Sequence, residues 1–319
     1  MNIILTGSVA YDYLMTFPGL FRDHILPDKL DSISLSFLVD SMVRLRGGIA
    51  PNIAYTLALL GGKPRVMATV GEDFAEYRTF LENAGVDTTL MTVVPGVYTA
   101  SFFCNTDQSN AQIASFYPGA MGHAAQLSFH DLAEKPDLVL ISPNDPAAMN
   151  KYVGECRELG IPYLYDPSQQ IPRLSGEDLR KGVKGAESLF VNDYEFSLIQ
   201  KHTGMRESEI VEGLRFMVVT HGQQGAAIYA EGEEMSVPVV PPKHIADPTG
   251  VGDAFRGGFL TGYSHGLNLE ICGKMGALSA TYCLEAMGTQ EHRFSVQEFI
   301  TRFREHFEDG GVLEVLVDW

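Results

Sequence analysis

The sequence predicts a single α/β domain: a doubly wound, mainly parallel sheet with helices on both faces, plus a small β-sheet lid. Two observations predict the core. Short apolar strands alternate with helical segments from about residue 137, and glycine-rich helices fill the last third. Such alternation favours right-handed crossovers and a parallel sheet. A third observation predicts the lid, because the β-rich pieces at about 11–46 and 92–119 do not follow the alternation.

The N-terminal part is expected to open the core and to supply most of the lid. Residues 2–5 are predicted as a strand ending at Gly7, and residues 33–39 alternate well enough for a half-buried strand. A helix is expected from Gly47-Gly48 to Leu60, with a proline near its start and glycines after its end. The other expected elements here are strand 65–70, helix 74–83 and a hairpin of strands 98–105 and 111–117.

The C-terminal part carries the strand–helix alternation. The expected strands are 137–142, 162–166, 188–191, 215–220 and 226–230. The expected helices lie near 147–160, 176–182, from 194 onward, 252–265 and 271–286. Residues 1–319 are therefore predicted to form one domain, with a lid built from two separate segments.

Composition excludes several classes of function. Lys and Arg number 23 against 40 Asp and Glu, which gives a net charge of −17. Nucleic acids and anionic membranes need clustered cations, so neither is expected as a partner. No apolar run approaches the roughly 18 residues of a spanning helix, and no basic residue precedes Arg22. Four widely spaced cysteines favour reduced thiols in a cytoplasmic protein.

The segment 247–258, DPTGVGDAFRGG, is the most informative stretch for chemistry. Gly250 and Gly252 allow a tight turn directly before a helix, and backbone N–H groups there can bind an anion. Asp253, at the helix start, could accept a proton from a hydroxyl group. Spacing alone leaves a second interpretation open, namely a glycine turn followed by an acid that the helix dipole favours.

Two further segments follow predicted strands. Asn192 and Glu195 have the spacing of a helix cap, which is the favoured interpretation when they are taken alone. The alternative is that Glu195 holds a water of hydrated Mg²⁺, since Mg²⁺ takes few protein carboxylates. The segment 220–225 is either a connecting loop or a backbone wall beside a nucleotide, where glycines permit close approach.

Candidate groups for binding an organic ligand lie in the first third of the chain. Asp12 and Asn52 could bind neighbouring hydroxyls, although loop and cap roles remain open for both. Phe102 and Phe116 lie on the two hairpin strands. They form either a small apolar patch or a surface on which a planar base stacks.

Together these stretches resemble the ribokinase-like (PfkB) carbohydrate kinases over essentially the full length. The signatures are the Gly-Gly region at 47–52 and DPTGVGDAF at 247–255, with Asn192-x-x-Glu195 and Thr220-x-Gly-x-x-Gly225 between them. Within this family the chain is most similar to the bacterial ribokinase-type adenosine kinases. The segments that carry this similarity are 6–8, 34–40, 111–121, 166–170 and 288–291.

The resemblance implies a reaction of MgATP with adenosine that gives ADP and AMP, a step of purine salvage. It implies that Asp253 is the base for the ribose 5′-hydroxyl, and it assigns further roles in sets. The implied substrate-binding residues are Ser8, Asp12, Ser36, Gly48, Asn52, Phe102, Phe116, Gln169 and Gln170. Among these, Phe102 and Phe116 would sandwich adenine from the lid. The implied ATP and phosphate contacts are Asn192, Thr220, Gly222, Gly225, Gly250, Val251 and Gly252. Glu195 would orient hydrated Mg²⁺, and Asp247 with Thr249 match the family's K⁺ loop; Arg256 receives no role.

Two other functions remain open at this point. A sugar kinase of the same family, acting on ribose, fructose or a phosphosugar, would keep the reaction and change the acceptor. A phosphosugar would favour cations in the lid, and none occurs between Arg78 and Lys135, although Arg44 and Arg46 remain available. The other alternative is a silent nucleoside sensor. Exposed strand edges in the lid make a homodimer one expected assembly and a monomer the other.

Overall fold

The computed structural model describes residues 1–26, 31–32 and 34–317. Its strands are β1 Ile3–Thr6, β2 Ala10–Thr16, β3 Ser41–Gly47, β4 Arg65–Val70, β5 Met91–Val93, β6 Ala100–Thr106, β7 Gln112–Tyr117, β8 Leu138–Ile141, β9 Tyr163–Tyr165, β10 Ser188–Asn192, β11 Phe216–Thr220, β12 Ala226–Ala230 and β13 Glu233–Val237. Its α-helices are α1 Ile49–Leu59, α2 Ala75–Asn83, α3 Pro146–Leu159, α4 Gly176–Gly185, α5 Asp193–Thr203, α6 Glu207–Val211, α7 Val251–Ser264, α8 Leu269–Leu284 and α9 Val296–His306.

The large sheet confirms the predicted core. Its nine strands have the order β13-β12-β11-β10-β9-β8-β1-β4-β5. All neighbours are parallel except in the antiparallel run from β11 to β13. From β1 the chain continues to β4 and β5 on one side of the sheet and then to β8 and the following strands on the other side. The direction of the strand order therefore switches between β1 and β8, and a crevice lies beside the carboxyl ends of these two strands. Ligands of open α/β sheets bind at such a point.

Helices cover both faces of this sheet. One apolar cluster lies under α1, α7 and α8, and the other lies under α3, α4 and α5. Gly257 and Gly258 lie where α7 packs closely against its neighbouring helices. A Cβ atom on Gly258 would lie 2.3 Å from the Ser279 hydroxyl oxygen, and one on Gly257 would lie 2.7 Å from the Thr56 Cβ. These glycines let α7 lie against both α8 and α1.

The lid is a separate four-stranded sheet of order β3-β2-β6-β7. Strands β2 and β6 are parallel, and the outer pairs are antiparallel. Strands β2 and β3 lie in the segment expected at about 11–46, and β6 and β7 lie in the one expected at about 92–119. Because β2 follows β1 and β3 leads into α1, two short connections hold the lid over the carboxyl edge of the large sheet.

One predicted strand is wrong. Residues 34–39 have no regular secondary structure, Ile33 lies outside the described residues, and the lid strand is Ser41–Gly47 instead. Phe37 packs its ring edge-on against Phe17 and Phe21, whereas Leu35 is exposed, so the alternating apolar residues do not share one buried face. Strands β5 and β13 and helices α6 and α9 lie outside the sequence-based prediction.

In residues 1–26, 31–32 and 34–317, helices of sufficient length and hydropathy to cross a bilayer are absent. The cysteines Cys104, Cys156, Cys272 and Cys283 are buried free thiols.

Candidate active site

A cavity of about 830 Å³ lies between the inner face of the lid and the carboxyl ends of the core strands. This volume is typical of a small-molecule site. It brings together residues from most of the predicted sets. Those lining it are Ser8, Asp12, Gly48, Asn52, Phe102, Phe116, Gln169, Gln170, Asn192, Glu195, Thr220, Asp247, Thr249, Gly250, Val251, Gly252 and Asp253.

The tight turn at residues 250–252, called the anion turn below, forms directly before a helix, as the sequence predicts. Gly250 has a φ of 78° and directly precedes α7, a 14-residue helix that begins at Val251. A left-handed conformation of this kind favours glycine. A Cβ atom here would also lie 2.8 Å from the Thr289 Cγ2 atom. The first N–H groups of α7 lack helical acceptors, so they are free to bind an anion in the cavity.

Asp253 lies in the first turn of α7, and Asn52 from α1 holds its side chain. The Asn52 Nδ2 group donates to Asp253 Oδ2 over 2.8 Å. Two donors fix the orientation of this amide, because Asn52 Oδ1 accepts from the Thr289 hydroxyl at 2.8 Å and from Gln290 Nε2 at 2.7 Å. Asn52 therefore positions the candidate base, a contact that the sequence does not reveal.

Both candidate carboxyl groups titrate above their usual range. Burial raises the pKa of Asp253 to about 6; Arg256 and the Asn52 hydrogen bond oppose this rise, while Glu195 adds to it. Burial also raises the pKa of Asp12 to about 6, with a further contribution from the charge of Asp247. Asp253 is therefore largely ionised near neutral pH, close to the point where a general base is most effective.

The start of α1 is shaped by close backbone approach. Gly48 has a φ of 97°, and a Cβ atom on it would lie 2.5 Å from the Ser8 carbonyl oxygen. The Ser8 hydroxyl accepts from the Ile49 N–H over 3.3 Å. A Cβ atom on Gly47 would lie 2.7 Å from Asp12 Oδ2. Both glycines are thus required to place Ser8 and Asp12 at the cavity wall.

Glu195 satisfies the capping interpretation and still faces the cavity. Its N–H donates to Asn192 Oδ1 over 2.8 Å, and its Oε2 accepts from the Asn192 N–H over 2.9 Å. The Ser168 hydroxyl donates to Oε1 over 3.1 Å. Each carboxylate oxygen retains acceptor capacity, and carboxylate oxygen suits a hard ion such as Mg²⁺. In the described part of the chain, His, Cys, Asp and Glu form no cluster of three that could hold a metal directly.

The loop after β11 contributes fewer residues to the cavity wall than expected. Thr220 lines the cavity, but Gly222 and Gly225 lie outside its wall. A Cβ atom on Gly225 would lie 2.2 Å from the Val237 carbonyl oxygen, so this glycine allows the end of β13 to pack closely. His221, at 25% side-chain exposure, pairs with Asp193 at the start of α5. This pair joins the loop to the Asn192 cap.

The lid presents its two predicted aromatic residues on one face. Phe102 in β6 and Phe116 in β7 are direct cross-strand partners, and both line the cavity. Cross-strand partners point to the same side of a sheet, so the two rings lie beside each other rather than on opposite sides of a gap. Ser36 is exposed and lies outside the cavity wall, because its segment is not the lid strand.

The predicted cation loop is tightly hydrogen-bonded. Asp247 Oδ1 accepts from the Thr249 N–H over 2.9 Å, and its Oδ2 accepts from the Gly288 N–H over 3.1 Å. These contacts hold Asp247 at the cavity wall.

The cavity wall contains a buried ion pair that the sequence does not reveal. Arg256 Nη2 donates to Asp166 Oδ1 over 2.9 Å, and its Nε lies 2.6 Å from Asp166 Oδ2. Burial alone would lower the pKa of Arg256, but the carboxylates of Asp166 and Asp253 outweigh it and raise the pKa. The only sequence signal was an arginine three residues after Asp253, inside an otherwise apolar helix.

Comparison with known proteins supports a phosphotransferase site. Residues 9–294 match the pfkB family carbohydrate kinases. A nucleoside kinase of Methanothermobacter thermautotrophicus is 30% identical over 311 residues, with 95% of each chain covered. A nucleoside kinase of Methanocaldococcus jannaschii is 27% identical over 307 residues, which are 96% of this chain and 97% of the relative.

Solved structures extend this similarity to the fold. A nucleoside kinase of Burkholderia thailandensis in complex with inosine is 34% identical, with a TM-score of 0.86 over 96% of this chain and 98% of that one. The same kinase with ADP and inosine is 37% identical, with a TM-score of 0.83 over 96% of both chains. These similar proteins are nucleoside kinases, a broader class than the adenosine kinases that the sequence resembles.

Proposed function

The chain belongs to the pfkB family of carbohydrate kinases, and we propose that it transfers the γ-phosphate of ATP to the 5′-hydroxyl of adenosine. The coarser activity, phosphate transfer to a nucleoside or sugar, follows from the family and from the similar nucleoside kinases. One observation carries the proposal: the half-buried carboxylate of Asp253 lies at the start of α7, inside the cavity and beside the amides of the glycine turn.

In the proposed reaction Asp253 accepts the proton of the 5′-hydroxyl group. At the same time the oxygen of that hydroxyl group forms a bond to the γ-phosphorus of ATP. The bond from that phosphorus to the oxygen bridging the β- and γ-phosphates breaks, and ADP leaves with the electron pair. The amides of Gly250, Val251, Gly252 and Asp253 stabilise the charge on the transferred group. Phosphoryl transfer asks the protein mainly for alignment and charge stabilisation.

The nucleoside would lie under the lid. Asp12 accepts from a ribose hydroxyl, with Ser8, Gly48 and Asn52 at the same wall. Phe102 and Phe116 offer one apolar surface to a face of the base, while Gln169 and Gln170 approach it from the core. Gln170 is buried, and its Oε1 atom has no hydrogen-bond partner among the described residues. A ligand that donates a hydrogen bond would satisfy this oxygen.

ATP would extend toward β10 and β11, where Asn192 and Thr220 line the cavity. A hydrated Mg²⁺ would be held through water by Glu195, and it would neutralise phosphate charge. Asp247 and Thr249 remain the proposed position of K⁺, because the hydrogen-bonded Asp247 oxygens keep unused lone pairs.

The lid also supports the proposal of a homodimer. All six residues of the edge strand β7 are exposed, and an exposed edge can pair with a second chain. The mass of the particle in solution, measured by light scattering, tests this: a mass near 70 kDa, twice the 35.0 kDa of the chain, supports it, and a mass of one chain contradicts it.

A phosphorylation panel with ATP tests the acceptor. Its arms are adenosine, inosine, cytidine, ribose, fructose and a phosphosugar. We expect the highest kcat/KM for adenosine. A phosphosugar is disfavoured because Arg44 pairs with Glu76 and Arg46 pairs with Glu291. A free sugar as the best acceptor would replace the proposal with the sugar kinase alternative, and tight adenosine binding without ATP consumption would indicate a sensor.

Replacing the proposed base tests the mechanism. The variant Asp253→Asn keeps the size of the side chain and removes its proton affinity, so kcat is expected to fall by at least about 10²-fold. Turnover near that of the unchanged protein would contradict the assignment. Asp145→Asn, which alters the cap of α3 outside the cavity, is the control and is expected to keep full turnover.

A further inference from the structure

The buried arginine of α7 has no part in the proposed chemistry so far. Arg256 is 8% exposed and Asp166 is 1% exposed, and they meet across 90 positions of the chain. Removing two charges from water costs several kcal/mol per ion, and a buried pair is often no more stabilising than apolar residues of the same size. Stability therefore gives little reason to place this pair inside a cavity wall.

A third contact of Arg256 connects the pair to the anion turn. Its Nη1 group donates to the Gly252 carbonyl oxygen over 2.9 Å. That carbonyl and the N–H of Asp253 belong to one planar peptide unit and point in opposite directions. Fixing the carbonyl therefore fixes the direction of the N–H. A charged donor on the carbonyl also strengthens the N–H as a donor, because hydrogen bonds in series polarise one another.

We propose that Arg256 is a positioning residue for phosphate transfer: held by Asp166, it orients and polarises the peptide between Gly252 and Asp253 and places a fixed positive charge beside the Asp253 carboxylate. The guanidinium does not need to touch the substrate in this role. The inference rests on the proposed function of Asp253 and its turn, and it adds the residues that set their geometry and charge.

The surroundings of Asp253 make Arg256 its main cationic neighbour. Arg256 lowers the pKa of Asp253, whereas Glu195 in α5 raises it. Asp166 and Asp253 each interact with Arg256, and Asp166 also interacts with Asp253. Cys283 in α8 faces Asp253 as a neutral thiol, because burial raises the pKa of that thiol to about 12. Loss of the cation and loss of the Asp166 anion should therefore move the titration of Asp253 in opposite directions.

Steady-state kinetics of Arg256→Met and Asp166→Asn against pH test the proposal. For Arg256→Met we expect kcat to fall at least about 10-fold at pH 8, with the KM for adenosine changed less than about 3-fold. The acid limb of kcat/KM should move up by about one pH unit, and in Asp166→Asn it should move down. Arg256→Lys keeps the positive charge, so its acid limb of kcat/KM should lie closer to that of the unchanged protein than the limb of Arg256→Met does.

Arg302→Met is the matched control. Arg302 forms a comparable pair with Glu285, with both groups about nine-tenths buried, at 7% and 11% side-chain exposure, but the pair lies outside the cavity. Its loss is expected to lower the melting temperature and to leave the acid limb in place. If Arg256→Met does not fold, the double variant Asp166→Asn with Arg256→Met leaves no unpaired charge, and its acid limb should lie above that of Asp166→Asn alone, because the two variants differ only in the cation. Limbs that stay fixed, or that move the same way in both single variants, overturn the proposal.

A titration without substrate separates this inference from the proposed function. Carboxyl ¹³C NMR of the free protein follows Asp253 directly, assigned by its loss in Asp253→Asn. A shift of its midpoint upward in Arg256→Met and downward in Asp166→Asn supports the positioning role even if the panel finds no turnover of adenosine. Unchanged midpoints contradict the role whatever the panel finds.

Discussion

At the scale of single residues, the site depends on polar groups whose orientation is fixed by several partners. Asn52 shows this most clearly. Two donors saturate its oxygen, so its nitrogen must face Asp253. Gln290 extends the network, since it also contacts the buried Tyr77 hydroxyl, which in turn donates to the Gly47 carbonyl oxygen over 2.9 Å. The last residue of lid strand β3 is thereby linked to the candidate base.

The variant Asn52→Asp tests this orientation. The new oxygen would replace a donor that lies 2.8 Å from Asp253 Oδ2, so two like charges would share the site. Such a pair raises one pKa strongly, and we expect the acid limb of kcat/KM to lie at least about one pH unit higher than in the unchanged protein. Asn268→Asp, at the cap of α8, is the control and should leave the limb unchanged. An unshifted limb in Asn52→Asp would argue against the contact.

At the scale of elements, glycines set how closely the lid and the helices approach the site. Strand β3 ends at Gly47, where only a hydrogen fits beside Asp12. The lid strand and the carboxylate proposed to bind the substrate are therefore coupled through one small residue. Helix α7 similarly depends on Gly250 for the conformation of its first turn.

The variant Gly47→Ala tests the coupling of β3 to Asp12. The added methyl group would displace the carboxylate, and losing a hydrogen bond to a charged group weakens binding by about 1.5–3 kcal/mol. We expect the KM for the nucleoside to rise about 10-fold or more, with a smaller change in kcat. Gly154→Ala on the exposed side of α3 meets nothing within 4 Å and should leave the kinetics unchanged. Equal KM values in both variants would refute the coupling.

At the scale of the whole molecule, the segment after α8 joins the lid, α1 and the core. The Thr289 hydroxyl oxygen lies 3.0 Å from the Arg46 carbonyl oxygen, and the Tyr55 hydroxyl donates to the His292 carbonyl oxygen. His292 is 2% exposed, and burial lowers its pKa to about 4. Folding therefore keeps this imidazole neutral where an unfolded chain would protonate it.

This histidine predicts acid sensitivity of the fold. Between the pKa of about 6.5 in the unfolded chain and about 4 in the folded chain, the folded state binds fewer protons than the unfolded state. The contribution of His292 to the free energy of unfolding is therefore fully present above about pH 6.5 and is lost as the pH falls to about 4. The loss amounts to about 3 kcal/mol. The raised pKa values of Asp12 and Asp253 act in the opposite direction, so the comparison must be with a variant. In His292→Asn, urea unfolding at pH 7 and pH 4.5 should show a smaller acid loss than in the unchanged protein. The exposed His123→Asn is the control, and a full acid loss in His292→Asn would contradict the prediction.

The sequence by itself determined most of the core strands and helices and the tight turn before α7, because alternation, capping and turn geometry act over a few neighbouring residues. It misjudged the strand at 33–39, because apolar and polar residues also alternate in this irregular segment, where Phe37 packs against Phe17 and Phe21. Only the tertiary structure decided which polar groups meet. Arg256 finds Asp166, and Asn52 finds Asp253 across 201 positions, because the crossovers of the sheet bring the carboxyl ends of distant strands to one edge. No local pattern encodes such a meeting, and the pKa values that govern the proposed chemistry depend on it.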